Sequence, residues 1–424
     1  MKQAFLTVDL GFGDSGKGSI VDFLTRKHDA TLVVRFSGGA QAGHRVVTAE
    51  PKPREHVFSQ FGAGTLAGAD TFLSRFMMVE PFALLEEAKH LEAIGIKTPL
   101  NRIVIDGECL ITTPFHRAIN RLKELARGTN RHGSCGMGVG ETMADFVVHG
   151  NDVLQMRDFL NNDTLYAKLN FIKSMAQYKL NQLQLPQNDA IAKEMAIFQH
   201  PNEIHQLVEV YSSFGKNIDI CTSDYLAYLL DKHKTAVFEA SQGVLLDEWY
   251  GFHPYTTWST VTLANANQLL REAEYDGKVT RIGITRAYAT RHGAGPFVTE
   301  APHLSKNIRD AVNGYDDWQE GFRVGWLDLL LLRYAIDVVG SLDYLAVCHL
   351  DRLSEFKHLH VCNKYKHGDK TIQSLPIKKQ LEDLEHQSNL TQLLENCAPI
   401  LTAVSTPEAL IAQLEQTRFA KTQP

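Results

Sequence analysis

No apolar run in this 424-residue sequence is long enough to span a bilayer, so no helical membrane anchor is expected. Nothing at its start resembles a signal peptide, and a strand-like run begins almost at once. The six cysteines (Cys109, Cys135, Cys221, Cys348, Cys362 and Cys397) are scattered and form no C-x-x-C pair and no zinc spacing. Reduced thiols in a soluble, cytoplasmic protein are the expectation. A basic excess is also lacking. The formal net charge of −6 argues against a general nucleic-acid binder. There is no internal repeat, low-complexity tract or convincing linker. What the chain does have is 44% hydrophobic residues, enough for a large core in one elaborated domain or two. We expect a single domain over 1–424 with a peripheral helical excursion at about 152–216.

The most informative stretch is the first. Leu6-Thr7-Val8-Asp9-Leu10 is a short β-rich run that enters Gly11-Phe12-Gly13-Asp14-Ser15-Gly16-Lys17-Gly18-Ser19, and an amphipathic segment leaves it. Such a strand–loop–helix closes backbone N–H groups around phosphate oxygens, with the helix dipole adding positive charge and Lys17 supplying a mobile one. Residues 11 to 17 match the Gly-x-x-x-x-Gly-Lys phosphate loop, but Gly18 replaces the Ser or Thr that would hold Mg²⁺. Asp14 is unusual there. A carboxylate inside a phosphate cradle repels the ligand unless a metal sits between them or it takes a proton. The plain alternative, a glycine-rich turn with a surface lysine, leaves the acid unexplained.

Further along, β-rich runs alternate with helical patterns, which predicts an α/β fold around a large, mainly parallel sheet. Thr31 to Phe36 reads as a strand ending in Ser37-Gly38-Gly39-Ala40-Gln41-Ala42-Gly43-His44. Residues 80 to 95 carry helical periodicity, Arg102 to Ile105 reads as a strand, and about Pro114 to Arg127 reads as a helix, mostly on periodicity, with proline suited to its first turn. A third glycine-rich loop follows at Gly133 to Gly140. The sheet resumes at Thr235 to Glu239, leading into Gln242-Gly243, and again at Ile282 to Thr285. Trp326 to Val339 reads as a buried helix, and Tyr344 to Cys348 as a strand ending at Leu350-Asp351. Several glycine-rich turns therefore fall at C-terminal strand ends, where ligands of open α/β sheets bind.

These motifs, with Pro254-Tyr255-Thr256-Thr257, Thr290 to Phe297 followed by Thr299-Glu300, and Gly325-Trp326-Leu327-Asp328, occur in the order found in adenylosuccinate synthetases. The sequence resembles that family over almost its whole length, least in the helical excursion and beyond residue 355. The resemblance implies a GTP- and Mg²⁺-dependent ligase of purine nucleotide biosynthesis. Such an enzyme phosphorylates the 6-oxygen of IMP, then displaces the phosphate with the amine of aspartate, typically as a homodimer. Asp14 matches the family's catalytic base and Mg²⁺ ligand, His44 its acid, and the Gly43 carbonyl a further metal contact. Lys17 and the loop residues Gly13, Ser15, Gly16, Gly18 and Ser19 would steady the β- and γ-phosphates. Gln41, Ser134, Cys135, His149, Gln242 and Thr257 match positions that hold the nucleoside monophosphate. Asp351, with Ser405-Thr406-Pro407 nearby in the family pattern, matches the reader of guanine, which selects GTP over ATP. Taken singly, Gln242 could be a buried hydrogen-bonding side chain and Asp351 a helix cap.

Departures from the family pattern are specific. Ser15 replaces a glutamate, Gln41 an asparagine, Cys135 a threonine that grips the IMP phosphate, His149 an arginine reaching across the dimer, and His349 a lysine beside Asp351. Before Gly325 the family has an arginine-rich clamp for aspartate, whereas this chain reads Asp316-Asp317-Trp318-Gln319-Glu320-Gly321-Phe322-Arg323-Val324. Charged hydrogen bonds of an arginine fork contribute about 1.5–3 kcal/mol each, and acids in their place repel a dicarboxylate. Arg286, Arg291 and Arg323 are the candidate replacements. Alternatives to the family reaction are therefore a ligase of the same mechanism with another amine or carbonyl acceptor, and a nucleotide-binding protein without catalysis. The retained Asp14, Lys17 and His44 speak against the last.

Overall fold

A computed structural model describes residues 2–128, 131–308, 318, 321–356 and 358–416. Eight strands form a parallel sheet in the spatial order Tyr344–Cys348, Lys278–Arg286, Gln3–Asp9, Thr235–Glu239, Leu32–Arg35, Asp70–Leu73, Ile103–Asp106 and Asp219–Cys221. The α/β class read from the alternating pattern is the class found. Strands such as Leu32–Arg35 and Thr235–Glu239 are almost wholly buried. That is why they read as unbroken apolar runs rather than as alternating ones.

The chain divides into two compact units, one of Met1–Ala4, Val21–Glu239 and Asn265–Lys278, the other of Phe5–Ile20, Ala240–Ala264 and Val279–Pro424. In the first, the helix Pro81–Ala93 starts where the Glu80 carboxylate accepts from the amides of Phe82 and Ala83. The helix Pro114–Arg127 starts at Thr113, with proline at its first position, and ends at Gly128. Both follow the usual chemistry of helix ends, in which a side-chain oxygen satisfies otherwise orphaned amides. The excursion contains a 3₁₀ turn, Met156–Leu160, and helices Asn162–Leu180, Asp189–Gln199 and Glu203–Lys216.

The second unit adds the antiparallel pair Ala289–His292 and Phe322–Gly325. It also holds a smaller sheet of Leu327–Asp328, Leu359–His367, Lys370–Ile372 and Ala398–Val404. Here the helix expected over Trp326 to Val339 needs correction, because it spans Leu329–Val339. Leu327–Asp328 is drawn off as a strand beside Val361 and Cys362, and the Asp328 carboxylate caps the helix through the amides of Leu330 and Leu331. Burial pushes the Asp328 carboxyl up to about 6, and the Tyr365 hydroxyl donates to it at 2.5 Å. Among the described residues no helix is long and apolar enough to cross a membrane.

Candidate active site

In the second unit the strand Gln3–Asp9 delivers a buried carboxylate to the base of the glycine-rich turn. Asp9 Oδ1 accepts from the Gly11 amide and the Ser15 hydroxyl, both at 2.8 Å. Its Oδ2 accepts from the Ser15 amide at 2.9 Å and from Lys17 Nζ at 3.0 Å. Lys17 also donates to the Gly13 carbonyl at 2.5 Å. Lys17 is thus not the mobile charge expected from sequence. It is 2% exposed and paired with Asp9, because a carboxylate this deep requires a cation beside it. Ser15, the departure from the family glutamate, braces the turn through that same carboxylate. Gly13 and Gly16 take left-handed conformations at φ +106° and +96°, and Gly18 and Ser19 lie in the first turn of the helix Lys17–Lys27.

Asp14 stands at the crest of this turn. Its backbone carbonyl accepts from Arg286 Nη1 at 2.8 Å. Removal from water raises its carboxyl above the ordinary range, and the nearby cations Arg286 and Lys17 pull it back only in part. The Gln242-Gly243 turn packs on the same loop, since a Cβ at Gly243 would fall 2.2 Å from the Gly11 carbonyl oxygen. Gln242 itself sits at φ +51°, with both amide atoms buried and without a hydrogen-bond partner. Thr257 follows in the loop anchored by its amide to the Leu246 carbonyl at 2.8 Å.

Asp351 and Ser405, matched separately by sequence, line one groove of about 670 Å³ with Leu350, Phe356, His358 and His360. Asp351 opens a short 3₁₀ turn, Asp351–Glu355, and is exposed to this groove. The candidate replacements for the arginine clamp already bond protein acceptors. Arg291 donates to the carbonyls of Ala294 and Pro296, both at 2.9 Å, and Arg323 to Glu300 and the Gly295 carbonyl, both at 2.8 Å. Arg286 reaches Tyr288 at 2.7 Å as well as Asp14. Of the acidic stretch, Asp316, Asp317, Gln319 and Glu320 lie outside the described residues.

In the first unit, His44 opens the strand His44–Val47, which pairs with Glu55–Phe58. Its Nδ1 lies 2.5 Å from Glu239 Oε1, and Glu239 Oε2 accepts from the Ala63 amide at 2.9 Å. Burial pushes the Glu239 carboxyl up, but Arg35 and His44 more than offset this and hold it below the ordinary range. Arg35, itself buried, is fixed by the Phe61 carbonyl at 3.0 Å. With Nδ1 committed to Glu239, any acid role of His44 falls to Nε2. Gln41, in the same turn as Gly43, has both amide atoms buried and unpartnered, as at Gln242. Ser134 and Cys135 lie in a loop braced by the helix Pro114–Arg127. His149 ends the helix Val139–His149, edge-on to Phe171 at 5.1 Å. The sequence reading assigned no role to Asp9, Arg35 or Glu239. Their one signal is a charged residue at the last position of an apolar parallel strand.

The fold is of the α/β class, with the Asp14-bearing glycine-rich turn in one unit and an imidazole aligned by a buried carboxylate in the other. The family model of adenylosuccinate synthetase matches residues 7–416. The chain is 32% identical over 389 residues to the adenylosuccinate synthetase of Clostridium botulinum, covering 90% of this chain and 85% of that one. It is 29% identical over 415 residues to that of Thermoplasma volcanium, covering 95% and 87%. A solved structure of fully ligated adenylosuccinate synthetase from Plasmodium falciparum superposes with a TM-score of 0.75 at 20% identity, covering 97% of this chain and 94% of that one, and shares its fold. The chain belongs to the adenylosuccinate synthetase family, and it is a C–N bond-forming ligase of that type in purine nucleotide biosynthesis.

Proposed function

We propose that the chain condenses IMP with aspartate at the expense of GTP, with Asp14 as base and His44 as acid. An amide-like oxygen is a poor leaving group. Transfer of the γ-phosphoryl group to the 6-oxygen converts it into a good one, which the amine then displaces as inorganic phosphate. The observation that carries this reading is the His44–Glu239 pair, because a mere nucleotide binder has no use for an imidazole aligned by a buried carboxylate. Asp14 takes the purine N1 proton, while the amides and the helix N-terminus of residues 13 to 19 hold the phosphates. Mg²⁺ fits this loop, since it reconciles the Asp14 carboxylate with phosphate oxygens, and it supplies charge neutralisation when bound. Gln41, Gln242 and Thr257 hold the monophosphate substrate, and Asp351 with Ser405 takes the guanine of GTP. A homodimer is supported by the apolar pair Val147 and Val148, 66% and 73% exposed beside His149.

The test is phosphate release from GTP with IMP and aspartate, each omitted in turn, followed by a panel of amines and by ATP in place of GTP. Release that requires all three substrates is expected. Release independent of IMP overturns the proposal, and equal turnover with ATP removes Asp351 as a guanine reader. Because Arg286, Arg291 and Arg323 each bond protein acceptors, the panel also decides between aspartate and a less acidic amine. Light scattering tests the dimer.

A further inference from the structure

The loop from His132 to Gly138 owes its shape to one face of the helix Pro114–Arg127. Glu124 Oε2 accepts the amides of His132 and Gly133 at 3.1 and 3.2 Å. Asn120 Oδ1 accepts the Ser134 hydroxyl at 3.0 Å and the Gly138 amide at 3.1 Å, so one oxygen ties both halves of the loop together. Arg121 Nε donates to the Gly136 carbonyl at 3.0 Å. Glu124 is 1% exposed, and the loop presses on the helix backbone, where a Cβ at Gly138 would fall 2.7 Å from the Arg117 nitrogen. Gly133, Gly136 and Gly138 all have positive φ, at +73°, +67° and +86°.

This arrangement changes which groups can grip a phosphate. The Ser134 hydroxyl has one proton, and that proton goes to Asn120. Its oxygen meanwhile accepts from the Gly136 amide at 3.3 Å. Cys135 brings only a weak S–H donor. The amides of His132, Gly133, Gly136 and Gly138 are spent on the braces, so the gripping is left to the other backbone amides of the loop, whose directions the braces set.

Resting on the reading of this loop as the monophosphate's phosphate site, we propose that Asn120, Arg121 and Glu124 are positioning residues for recognition of the IMP phosphate. They act through the loop and touch no substrate themselves. Asn120→Ala removes two bonds to the loop and is expected to raise KM for IMP about tenfold. The KM for GTP and kcat at saturating IMP hold. Affinity for inosine, which lacks the phosphate, stays unchanged. Glu124→Ala behaves in the same way, whereas Glu124→Gln, which keeps an acceptor for the two amides, recovers most of the affinity. Gly136→Val, which distorts the loop directly, is measured beside them. If it raises KM for IMP while Asn120→Ala and Glu124→Ala do not, the loop holds phosphate but the proposal fails. If Gly136→Val also leaves IMP binding intact, the phosphate reading of the loop itself fails. Equal losses for inosine and IMP in Asn120→Ala overturn the proposal in favour of a structural role.

Discussion

Asp9 and Glu239 occupy the same kind of position, the last residue of a buried parallel strand, and yet they do different work. Asp9 faces a permanent cation, Lys17, and three further donors of its own turn, all within eight positions along the chain. Every bond it makes shapes the loop. Glu239 has the Arg35 cation nearby, but its hydrogen bonds go to one loop amide and to an imidazole 195 positions away, which can gain or lose a proton. The hydrogen-bonded partner decides the job: a fixed charge bonded to it makes a strand-end carboxylate a brace, and a titratable one makes it an orienter.

The largest effect should come from Asp9→Asn. It leaves the Lys17 ammonium buried without its counter-charge, at a cost of about 3–5 kcal/mol by chemical denaturation, with activity lost alongside. Glu239→Gln should split the other way, with kcat falling on the order of 100-fold while KM for both nucleotides changes little, as loss of an aligned acid requires. Equal damage to stability and rate in both variants would erase the distinction. The pH dependence sharpens it further. The Glu239 carboxyl is held below its ordinary value, so its contribution is fully present above about pH 4.3 and is lost as pH falls through the depressed value. Stability of Glu239→Gln measured across that acid range should therefore fall less steeply than that of the parent chain. Smallest is Ser15→Ala, which deletes one hydroxyl bond to Asp9 and should cost about 1.5–3 kcal/mol while kcat is largely kept.

Much of the fold could be read directly. The helix Pro114–Arg127 was legible from its apolar periodicity, with Pro114 suited to the first turn. The strand Tyr344–Cys348 was equally plain, being a short β-rich run before Leu350-Asp351. Trp326 to Val339 was misread because its leucine-rich run hides a two-residue strand that exists only by pairing with Val361 and Cys362. The glycine turns and Asp14 declared themselves through spacing. Glu239 and Arg35 did not, since their meaning lies in partners distant along the chain. The mobility expected of Lys17 failed for the same reason, as its burial against Asp9 is a tertiary fact.

The meeting of Gly243 with the Gly11 carbonyl has a wider consequence. Two segments far apart in the chain touch there through bare main chain, so neither can be shifted without carrying the other. A library randomised at position 243 should return glycine alone, and any insertion between Leu10 and Gly13 should be felt at Gln242 before it is felt anywhere else.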